Sequence, residues 1–519
     1  MLKYISGLFE NKREKMKNKR VLLNIVANAF AMLVSTGINF FLTPYMTRTV
    51  GVEAYGFVPM ASYFVSYVTI VTTAFNSMGS RFITVSLQKE DKKQANEYFS
   101  TIFFMNLGLA VICTTCFTFI VAFLTKLIHI PQDITADVKI MFALTFLSSV
   151  VSLAFNVFAS APFCKNRLDL QSLIKIAGTV VRAVLIVILF GLFPAKVYYI
   201  GIAAISMNIA ESLLNVLIYK KIMSELKIRR SDFKSKHIRT LFLSGVWNSV
   251  TQLSNILMTG LDLLIANIFI SPTDSGILSV AKIMPSLLYT AIALIITAFG
   301  PQFVIDYAKS DNYDSILGTM DFSAKLMSFC SAVLVAGFIG LGKEFFTLWV
   351  PEQNANLLIT LAVLTLIADA ASYPIKAFDN IFTAADKLRW PAVSTLICGL
   401  LNVALMIPLL KFTNLGLYAV AGTSVVLIVI KDLGFKIPYI AKIVKVGTWY
   451  FWKYILKYAL SVGLIILVSL ITKRLIPASN WLLLGIDTVI VGIFGCILNS
   501  FIFLNKNERK TVKSKLFNK

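Results

Sequence analysis

Charged residues are scarce in this sequence. Asp, Glu, Lys and Arg make up only 14% of the 519 residues, whereas soluble globular domains carry roughly 25%. Apolar residues make up 57% of the chain, and the mean hydropathy is +0.78. The scarcity of charge excludes an ordinary soluble domain, and the apolar surplus predicts an integral membrane protein.

Residues that bind metals or act as catalysts are also few. The two histidines, His129 and His237, lie in predicted loops on opposite sides of the membrane, which leaves neither a metal cluster nor a Ser/His/Asp arrangement. The six cysteines lie mostly inside apolar segments and form no disulfide framework. The segment Gly337–Glu344 resembles a P-loop but lacks its Ser or Thr. We therefore expect no enzymatic activity, no metal and no cofactor.

Acidic residues are outnumbered by basic ones, 26 to 49, so the formal net charge is +23. A nucleic-acid-binding protein would gather its Lys and Arg on one polar domain. Here they are dispersed in short segments between apolar runs. Because basic loops stay on the cytoplasmic side of a membrane, this pattern indicates topology and no nucleic-acid partner.

Apolar runs of about 20 residues recur along the whole chain, each long enough to cross the bilayer as a helix. They predict an all-α polytopic membrane protein of about fourteen transmembrane helices. Hydropathy and charge breaks place the spans at 21–46, 57–80, 98–124, 137–160, 171–193, 197–219, 241–270, 276–299, 320–342, 356–379, 390–410, 415–436, 454–472 and 481–504.

The longest predicted inside loop, 220–239, is basic and divides the chain into two comparable sets of six spans. Placing both termini in the cytoplasm puts most basic residues inside. The predicted organisation is a cytoplasmic basic N-terminus (1–20), an N-terminal six-helix bundle (21–220), a basic cytoplasmic linker (221–240), a C-terminal six-helix bundle (241–440), an interfacial segment with helices 13 and 14 (441–504) and a cytoplasmic tail (505–519).

The two sets of six spans show an internal repeat. Shifting the sequence by 220 positions aligns Gly56 with Gly276 and Tyr198 with Tyr418, among other identities, and the span boundaries coincide. Since six is even, both halves enter the membrane in the same direction, which predicts two parallel six-helix repeats plus two C-terminal helices. Such repeats place a substrate site between the halves.

Polar residues form a stripe on one face of the first span and again on one face of the seventh, spaced by steps of mostly three or four residues. Shifting the sequence by 220 positions aligns the stripe of the first span with that of the seventh. Helix packing explains such a stripe as well as a water-accessible cavity does, but the recurrence favours the cavity. The stripe residues predicted to bind substrate are Asn28, Asn39, Asn248 and Asn255.

Ionisable residues deep inside a span cost roughly 2.5–3.5 kcal/mol or more, so they need partners, water or a function. Arg182 lies about eleven residues into a span and is the strongest candidate for substrate binding. Lys282 and Asp262 are equally consistent with a structural ion pair and with ligand binding. Glu211 and Asp369 are further candidates for coupling or ion pairing, and Lys376 and Asp379 are the other ionisable candidates within spans.

Two arginines near span ends complete the predicted site. Arg48 and Arg81 lie at the outer end of the first span and the inner end of the second. Anchoring to lipid headgroups explains them as well as ligand guidance does. The planar guanidinium suits phosphate because it donates two charge-assisted hydrogen bonds at once.

Several of these residues carry a family resemblance. The segment Leu42–Gly56 (LTPYMTRTVGVEAYG), followed by Gly79–Arg81, resembles the opening of bacterial polysaccharide flippases, and Asp262 with Gly276–Lys282 resembles their seventh and eighth spans. These proteins belong to the multidrug/oligosaccharidyl-lipid/polysaccharide exporter superfamily. The twelve-plus-two plan extends the resemblance over nearly the whole chain.

The resemblance implies a transporter that flips an undecaprenyl-diphosphate-linked oligosaccharide from the inner to the outer leaflet of the bacterial cytoplasmic membrane by alternating access. It also implies membrane lipids as partners and the polysaccharide polymerase machinery as a candidate partner. The alternatives are a flippase for lipid II or a teichoic-acid precursor, and a multidrug cation antiporter, for which Glu211 is the available carboxylate. A membrane transferase or polymerase has little support, because the predicted outside loops are short.

The orientation generates the first prediction. The loop 220–239 should be cytoplasmic and the segment 125–137 external, because basic loops remain inside. In a cysteine-free background, an impermeant thiol reagent applied to intact cells should label the Gln132→Cys variant and spare the Ser235→Cys variant. The opposite labelling pattern would show that the chain has the reverse orientation in the membrane.

Overall fold

The computed structural model describes residues 27–28, 30–76, 78–165, 167–309, 314–385 and 387–509. Helices fill these ranges, which contain no β-strand. The predicted class, an all-α polytopic membrane protein, is therefore confirmed. The first predicted span, 21–46, begins outside the described residues, and its helix is described from residue 30.

The described helices of the first half follow one another closely. In chain order they are α1 (30–50), α2 (Val52–Asn76), α3 (Gly79–Gln88), α4 (Lys92–Ala122), α5 (Thr135–Phe155), α6 (Leu168–Leu192), α7 (Tyr198–Ile222) and α8 (Ser235–Asn255). A 3-10 turn, Asn156–Ala159, and a short helix, Ser160–Cys164, extend α5 to the end of its span.

The second half contains longer and more often interrupted helices. They are α9 (Asp262–Phe269), α10 (Pro272–Ala281), α11 (Ile283–Lys309), α12 (Asp314–Trp349), α13 (Ala355–Ala370), α14 (Arg389–Phe412), α15 (Leu417–Val429), α16 (Trp449–Leu475) and α17 (Trp481–Phe503). A 3-10 turn, Tyr373–Asp379, and a short helix, Asn380–Ala384, extend α13, whereas a π-helix, Ile430–Lys436, and a short helix, Ile437–Val444, extend α15.

Side chains at the helix starts explain several of these boundaries. An amino-terminal cap satisfies a backbone N–H that has no partner within the helix. At the turn between α1 and α2, Gly51 adopts a φ of +83°, which side-chain-bearing residues rarely adopt. The caps with a side-chain hydrogen bond at α4, α10, α13 and α17 are Asp91, Ser271, Asn354 and Asn480.

Eleven helical segments in the described ranges are long and apolar enough to cross a membrane, and up to thirteen if each of two bent helix pairs is one span. One bent pair is α13 with the segment Tyr373–Ala384, which turn by 49°. The other is α8 with α9. The first helix, described only in part, is additional to these segments.

The chain divides into two compact units, one up to Ile256 and one from Leu257 onward. The boundary falls inside the predicted seventh span, because α8 packs with the amino-terminal unit. Ser249 Oγ donates a hydrogen bond to the Ile70 carbonyl on α2 at 2.5 Å, and His237 Nε2 lies 3.1 Å from Glu97 Oε2 on α4. This boundary describes packing, and the sequence-based bundle limits at 220 and 240 remain predictions.

The internal repeat extends to the helix boundaries themselves. Shifted by 220, the short helix Ser160–Cys164 coincides with Asn380–Ala384, and the start of α5 coincides with the start of α13 at Ala355. Helix α6 shifts onto α14 with a one-residue difference at its start. The fourth and tenth spans therefore share a break near their ends.

The π-helix Ile256–Gly260, between α8 and α9, leaves backbone carbonyls without regular helical partners. Side chains from three other helices bind them. Asn402 donates to the Met258 carbonyl at 2.9 Å, Ser424 donates to the same oxygen at 3.2 Å, and Lys282 donates to the Thr259 carbonyl at 3.1 Å. The break in the seventh span is thus fixed by its neighbours.

Helices α16 and α17 pack against α12, in the carboxyl-terminal unit. Polar side chains form hydrogen bonds and an ion pair across this contact. Asn499 donates to the Phe329 carbonyl at 2.8 Å and accepts from Ser461, and Lys473 pairs with Glu344 at 2.5 Å. Small residues bring the helices close, as is common between membrane helices.

Gly340 on α12 provides a stability prediction. A Cβ atom there would lie only 2.5 Å from Ser469 Cβ on α16, so Gly340→Ala forces the helices apart. We expect a lower melting temperature, equivalent to about 1–3 kcal/mol. The control is Gly337→Ala on the same helix, where a Cβ has open space and where Ala should be neutral or stabilising. Equal melting temperatures for the two variants would contradict the packing.

Candidate functional site

The amino-terminal unit encloses a cavity of about 490 Å³. Helices α2, α5, α6 and α7 line it, so it lies inside one six-helix set. The lining is rich in hydroxyl and amide side chains, which is unusual for the interior of a membrane helix bundle. They are Ser62, Thr69, Thr72, Thr73, Asn76, Thr145, Ser148, Ser149, Ser152, Asn156 and Asn208.

Most hydroxyls of this lining bond to the backbone of their own helix, so they present a polar but satisfied wall. Thr72 donates to the Thr69 carbonyl at 2.8 Å, and Ser149 donates to the Phe146 carbonyl at 2.7 Å. Between helices, Asn208 donates to Ser148 Oγ at 2.6 Å. These bonds fix the lining without an ionic group.

Arg182, on α6, is the one lining residue of this cavity that carries a formal charge. Its Nη1 donates to Asn39 Oδ1 on α1 at 3.4 Å, a long bond, and its buried Nε has no hydrogen-bond partner. In the part of the chain that the structure describes, no carboxylate pairs with the guanidinium. The structure thus brings together Arg182 and Asn39, and it shows no ion pair between Arg182 and Glu211.

A second cavity of about 130 Å³ continues from the first, because Ser152, Asn156 and Asn208 line both. We call it the inner extension. Under the predicted orientation it lies toward the cytoplasm, since it is formed by the end of the fourth span, the start of the fifth and the end of the sixth. Its other polar lining residues are Gln171, Lys175, Glu211, Ser212 and Asn215.

Glu211 reaches the inner extension because α6 has no side chain at Gly178. A Cβ atom at Gly178 would lie 2.6 Å from Glu211 Cγ. The carboxylate accepts no hydrogen bond from any described residue. The close approach of α6 and α7 therefore positions a carboxylate in the cavity without pairing it.

The remaining predicted residues of the amino-terminal unit lie elsewhere on its surface. Asn28, Arg48, Arg81 and Asn255 are all exposed. The side chain of Asn248 lies outside the described residues. Their roles in substrate binding remain predictions, and the cavity lining includes none of them.

Lys282 and Asp262 form an ion pair, with Lys282 Nζ 2.6 Å from Asp262 Oδ2. Asp262 is the first residue of α9, directly after the π-helix, and Lys282 also binds the Thr259 carbonyl of that π-helix. The structure therefore contains the ion-pair arrangement, and the lysine stabilises the break in the seventh span.

Asp369 belongs to a network of buried charges in the carboxyl-terminal unit. Asp432, 1% exposed, lies 3.1 Å from Lys376, 3.1 Å from Lys436 and 3.5 Å from Lys431. Lys376 also pairs with Asp369 at 3.4 Å, and Lys436 pairs with Asp379 at 2.9 Å. These three lysines and three aspartates have a net formal charge of zero, and we call them the ionic network.

Sequence analysis identified Asp369, Lys376 and Asp379 but missed the other three members of the ionic network and the amides of the inner extension. One signal was available for the amides: Asn208, Glu211 and Asn215 are spaced by three and four residues, so they share a face of α7. The network joins residues about 60 positions apart, which sequence spacing alone does not reveal. No group of three His, Cys, Asp or Glu in the described ranges is arranged to hold a metal.

The helical architecture and the cavity together define a polytopic membrane protein built like known transporters. Solved structures with this fold include an inward-facing multidrug resistance MATE family transporter of the MOP superfamily, with a TM-score of 0.64 and 16% identity, covering 80% of this chain and 94% of that chain. The lipid II flippase MurJ, in an inward closed conformation, gives a TM-score of 0.65 at 16% identity, with 93% and 98% covered. At these identities the likeness shows the fold.

The sequence comparisons show the family. The model of the polysaccharide biosynthesis protein family matches residues 21–305, more than half of the chain, so the chain belongs to that family. A relative is the uncharacterized membrane protein EpsK of Bacillus subtilis (strain 168), which is 26% identical over 423 residues, 81% of this chain and 83% of EpsK. The resemblance drawn from the sequence motifs is thereby confirmed.

The ionic network generates a prediction about stability. Replacing Asp432 by Asn leaves three buried lysines with two carboxylates, and breaking a buried pair costs about 3–5 kcal/mol. We expect Asp432→Asn to reduce the yield of monodisperse protein in size-exclusion chromatography and to lower its melting temperature.

The control combines Asp432→Asn with Lys436→Met, which restores a neutral network of two lysines and two aspartates. This double variant should recover part of the lost thermal stability. If Asp432→Asn alone melts like the unmodified protein, the network does not stabilise the unit.

Proposed function

We propose that this protein is a flippase that moves a polyprenyl-diphosphate-linked oligosaccharide from the inner to the outer leaflet of the bacterial cytoplasmic membrane. The observation that carries the proposal is the unpaired guanidinium of Arg182 in a polar cavity. A cation without a counter-charge at this depth is costly unless an anion binds it. A diphosphate is such an anion, and its oxygens match the guanidinium fork.

The rest of the cavity suits the remaining parts of such a substrate. Hydroxyls and amides can bind sugar hydroxyl groups, and the polyprenyl tail can remain in lipid. Membership of the polysaccharide biosynthesis family supports this class of substrate. We propose that alternating access opens the cavity to each leaflet in turn, with both termini in the cytoplasm and the polymerase machinery as a partner.

Two other functions explain the cavity less well. A multidrug cation antiporter needs an uncompensated carboxylate, but Glu211 shares its continuous cavity with the cations Arg182 and Lys175. A lipid II or teichoic-acid precursor flippase would use the same phosphate chemistry. The likeness to MurJ is a likeness of fold, whereas the family match supports a polysaccharide precursor.

Variants of Arg182 test the proposal in a leaflet-translocation assay, with proteoliposomes and a fluorescent polyprenyl-diphosphate oligosaccharide. A hydrogen bond to a charged group contributes about 1.5–3 kcal/mol, so Arg182→Gln should slow translocation roughly 10- to 100-fold. Arg182→Lys should keep intermediate activity, since the charge survives without the bidentate geometry.

The matched control is Arg474→Gln, because Arg474 is exposed near the end of α16 and lines neither cavity. It should translocate at the normal rate. Normal translocation by a folded Arg182→Gln protein would contradict the proposed role of Arg182.

A further inference from the structure

The inner extension contains several hydrogen-bonding groups that no other part of the described structure uses. The Glu211 carboxylate accepts no hydrogen bond there, and Asn215 Oδ1 is buried without a partner. The Asn156 and Gln171 amides, which also line this space, make no side-chain hydrogen bond with described residues. Asn215 Oδ1 is the buried one of these groups, and leaving it unsatisfied costs about 1–3 kcal/mol.

Together these hydrogen-bonding groups favour a ligand, because helix packing alone would be better served by apolar side chains. Gly178 strengthens the argument. A side chain at that position would have to displace the Glu211 side chain, so the glycine leaves room for this carboxylate beside α6. The Glu211 oxygens, which accept no hydrogen bond from a described residue, are therefore available to a ligand.

The chemistry of these groups indicates the class of ligand. A carboxylate and several amides accept and donate hydrogen bonds in the plane of a sugar ring, where neighbouring hydroxyls can bind the two oxygens of one carboxylate. The inner extension shares Ser152, Asn156 and Asn208 with the cavity that contains Arg182. In a lipid-linked saccharide the first sugar is bonded directly to the diphosphate, so adjoining sites are required.

We infer that the inner extension binds the first sugar of the lipid-linked saccharide, and that Glu211 selects a neutral sugar rich in hydroxyl groups. The inference rests on the proposed function and deepens it. Arg182 binds the diphosphate, and Glu211 with the amides distinguishes the sugar attached to it. A uronic acid is disfavoured because its carboxylate would face Glu211.

In the described part of the second half, the ionic network occupies positions equivalent to part of the inner extension. Under the shift of 220 positions, Asn156, Glu211 and Ser212 correspond to Lys376, Lys431 and Asp432, which are members of the ionic network. There the hydrogen-bonding groups bind each other. The described structure thus has an open polar space at these positions in the amino-terminal unit and an ionic network at the equivalent positions of the carboxyl-terminal unit.

The test measures binding to the full-length protein in detergent by isothermal titration calorimetry. The probes are farnesyl diphosphate and its glucose, N-acetylglucosamine and glucuronic acid conjugates. We expect at least one neutral conjugate to bind about tenfold more tightly than farnesyl diphosphate, which corresponds to one or two net hydrogen bonds. The glucuronic acid conjugate should show no such gain.

Variants separate the two sites. Glu211→Gln should reduce the preference for the neutral conjugate to about twofold or less and should improve the relative affinity of the glucuronic acid conjugate. Arg182→Gln should weaken all four ligands by a similar factor. The matched control is Glu225→Gln, since Glu225 pairs with Lys165 at 2.5 Å outside the spans, where that hydrogen bond lowers the pKa of its carboxyl. It should change no affinity.

The outcomes distinguish the inference from the proposed function. The sugar subsite is overturned if the sugar preference survives in the Glu211→Gln variant, or if the unmodified protein shows no sugar preference. In either case, binding of farnesyl diphosphate that depends on Arg182 would still support the flippase. If Arg182→Gln leaves the affinity for all four ligands unchanged, both the sugar subsite and the proposed role of Arg182 are overturned. Glu211-dependent binding of a lipophilic cation dye without a sugar preference overturns the inference in favour of a cation site.

Discussion

The hydrocarbon core of the bilayer supplies no water, so every charge within a span needs a partner, and this requirement governs the whole structure. In the carboxyl-terminal unit the ionic network around Asp432 meets this requirement internally, whereas the buried Asp487 carboxylate on α17 has no hydrogen-bond partner among the described residues. In the amino-terminal unit Arg182 lines a cavity and forms no ion pair with a described carboxylate, while Glu211 lies in the adjoining inner extension. The guanidinium without an ion-pair partner is the basis of our proposal that an anionic substrate binds there.

The internal repeat shows how this difference arose in one fold. Ser152 corresponds to Ser372, and both lie near the break of their span, but Arg182 corresponds to Asn402, whose amide binds the carbonyls of a π-helix. The same framework therefore forms a polar cavity in one half and a fixed support for a π-helix in the other. Duplicated helix boundaries were retained while the polar residues between them diverged.

Some of this could be predicted from the sequence. Apolar runs predict the spans, and depth within a span identifies Arg182, since both depend only on local composition. The contact of Lys376 with Asp432 depends on the packing of the tenth span against the twelfth, which hydropathy does not specify. Likewise, Glu211 reaches its cavity because Gly178 lies opposite it, and a single glycine in an apolar run carries no local signal of that contact.

The most direct measurement is a cryo-EM structure of the full-length protein in lipid nanodiscs with a bound polyprenyl-diphosphate disaccharide. The account predicts density for the diphosphate within hydrogen-bonding distance of the Arg182 guanidinium, and density for the first sugar beside Glu211. A diphosphate resolved elsewhere, with the cavity of the amino-terminal unit free of substrate, would contradict it.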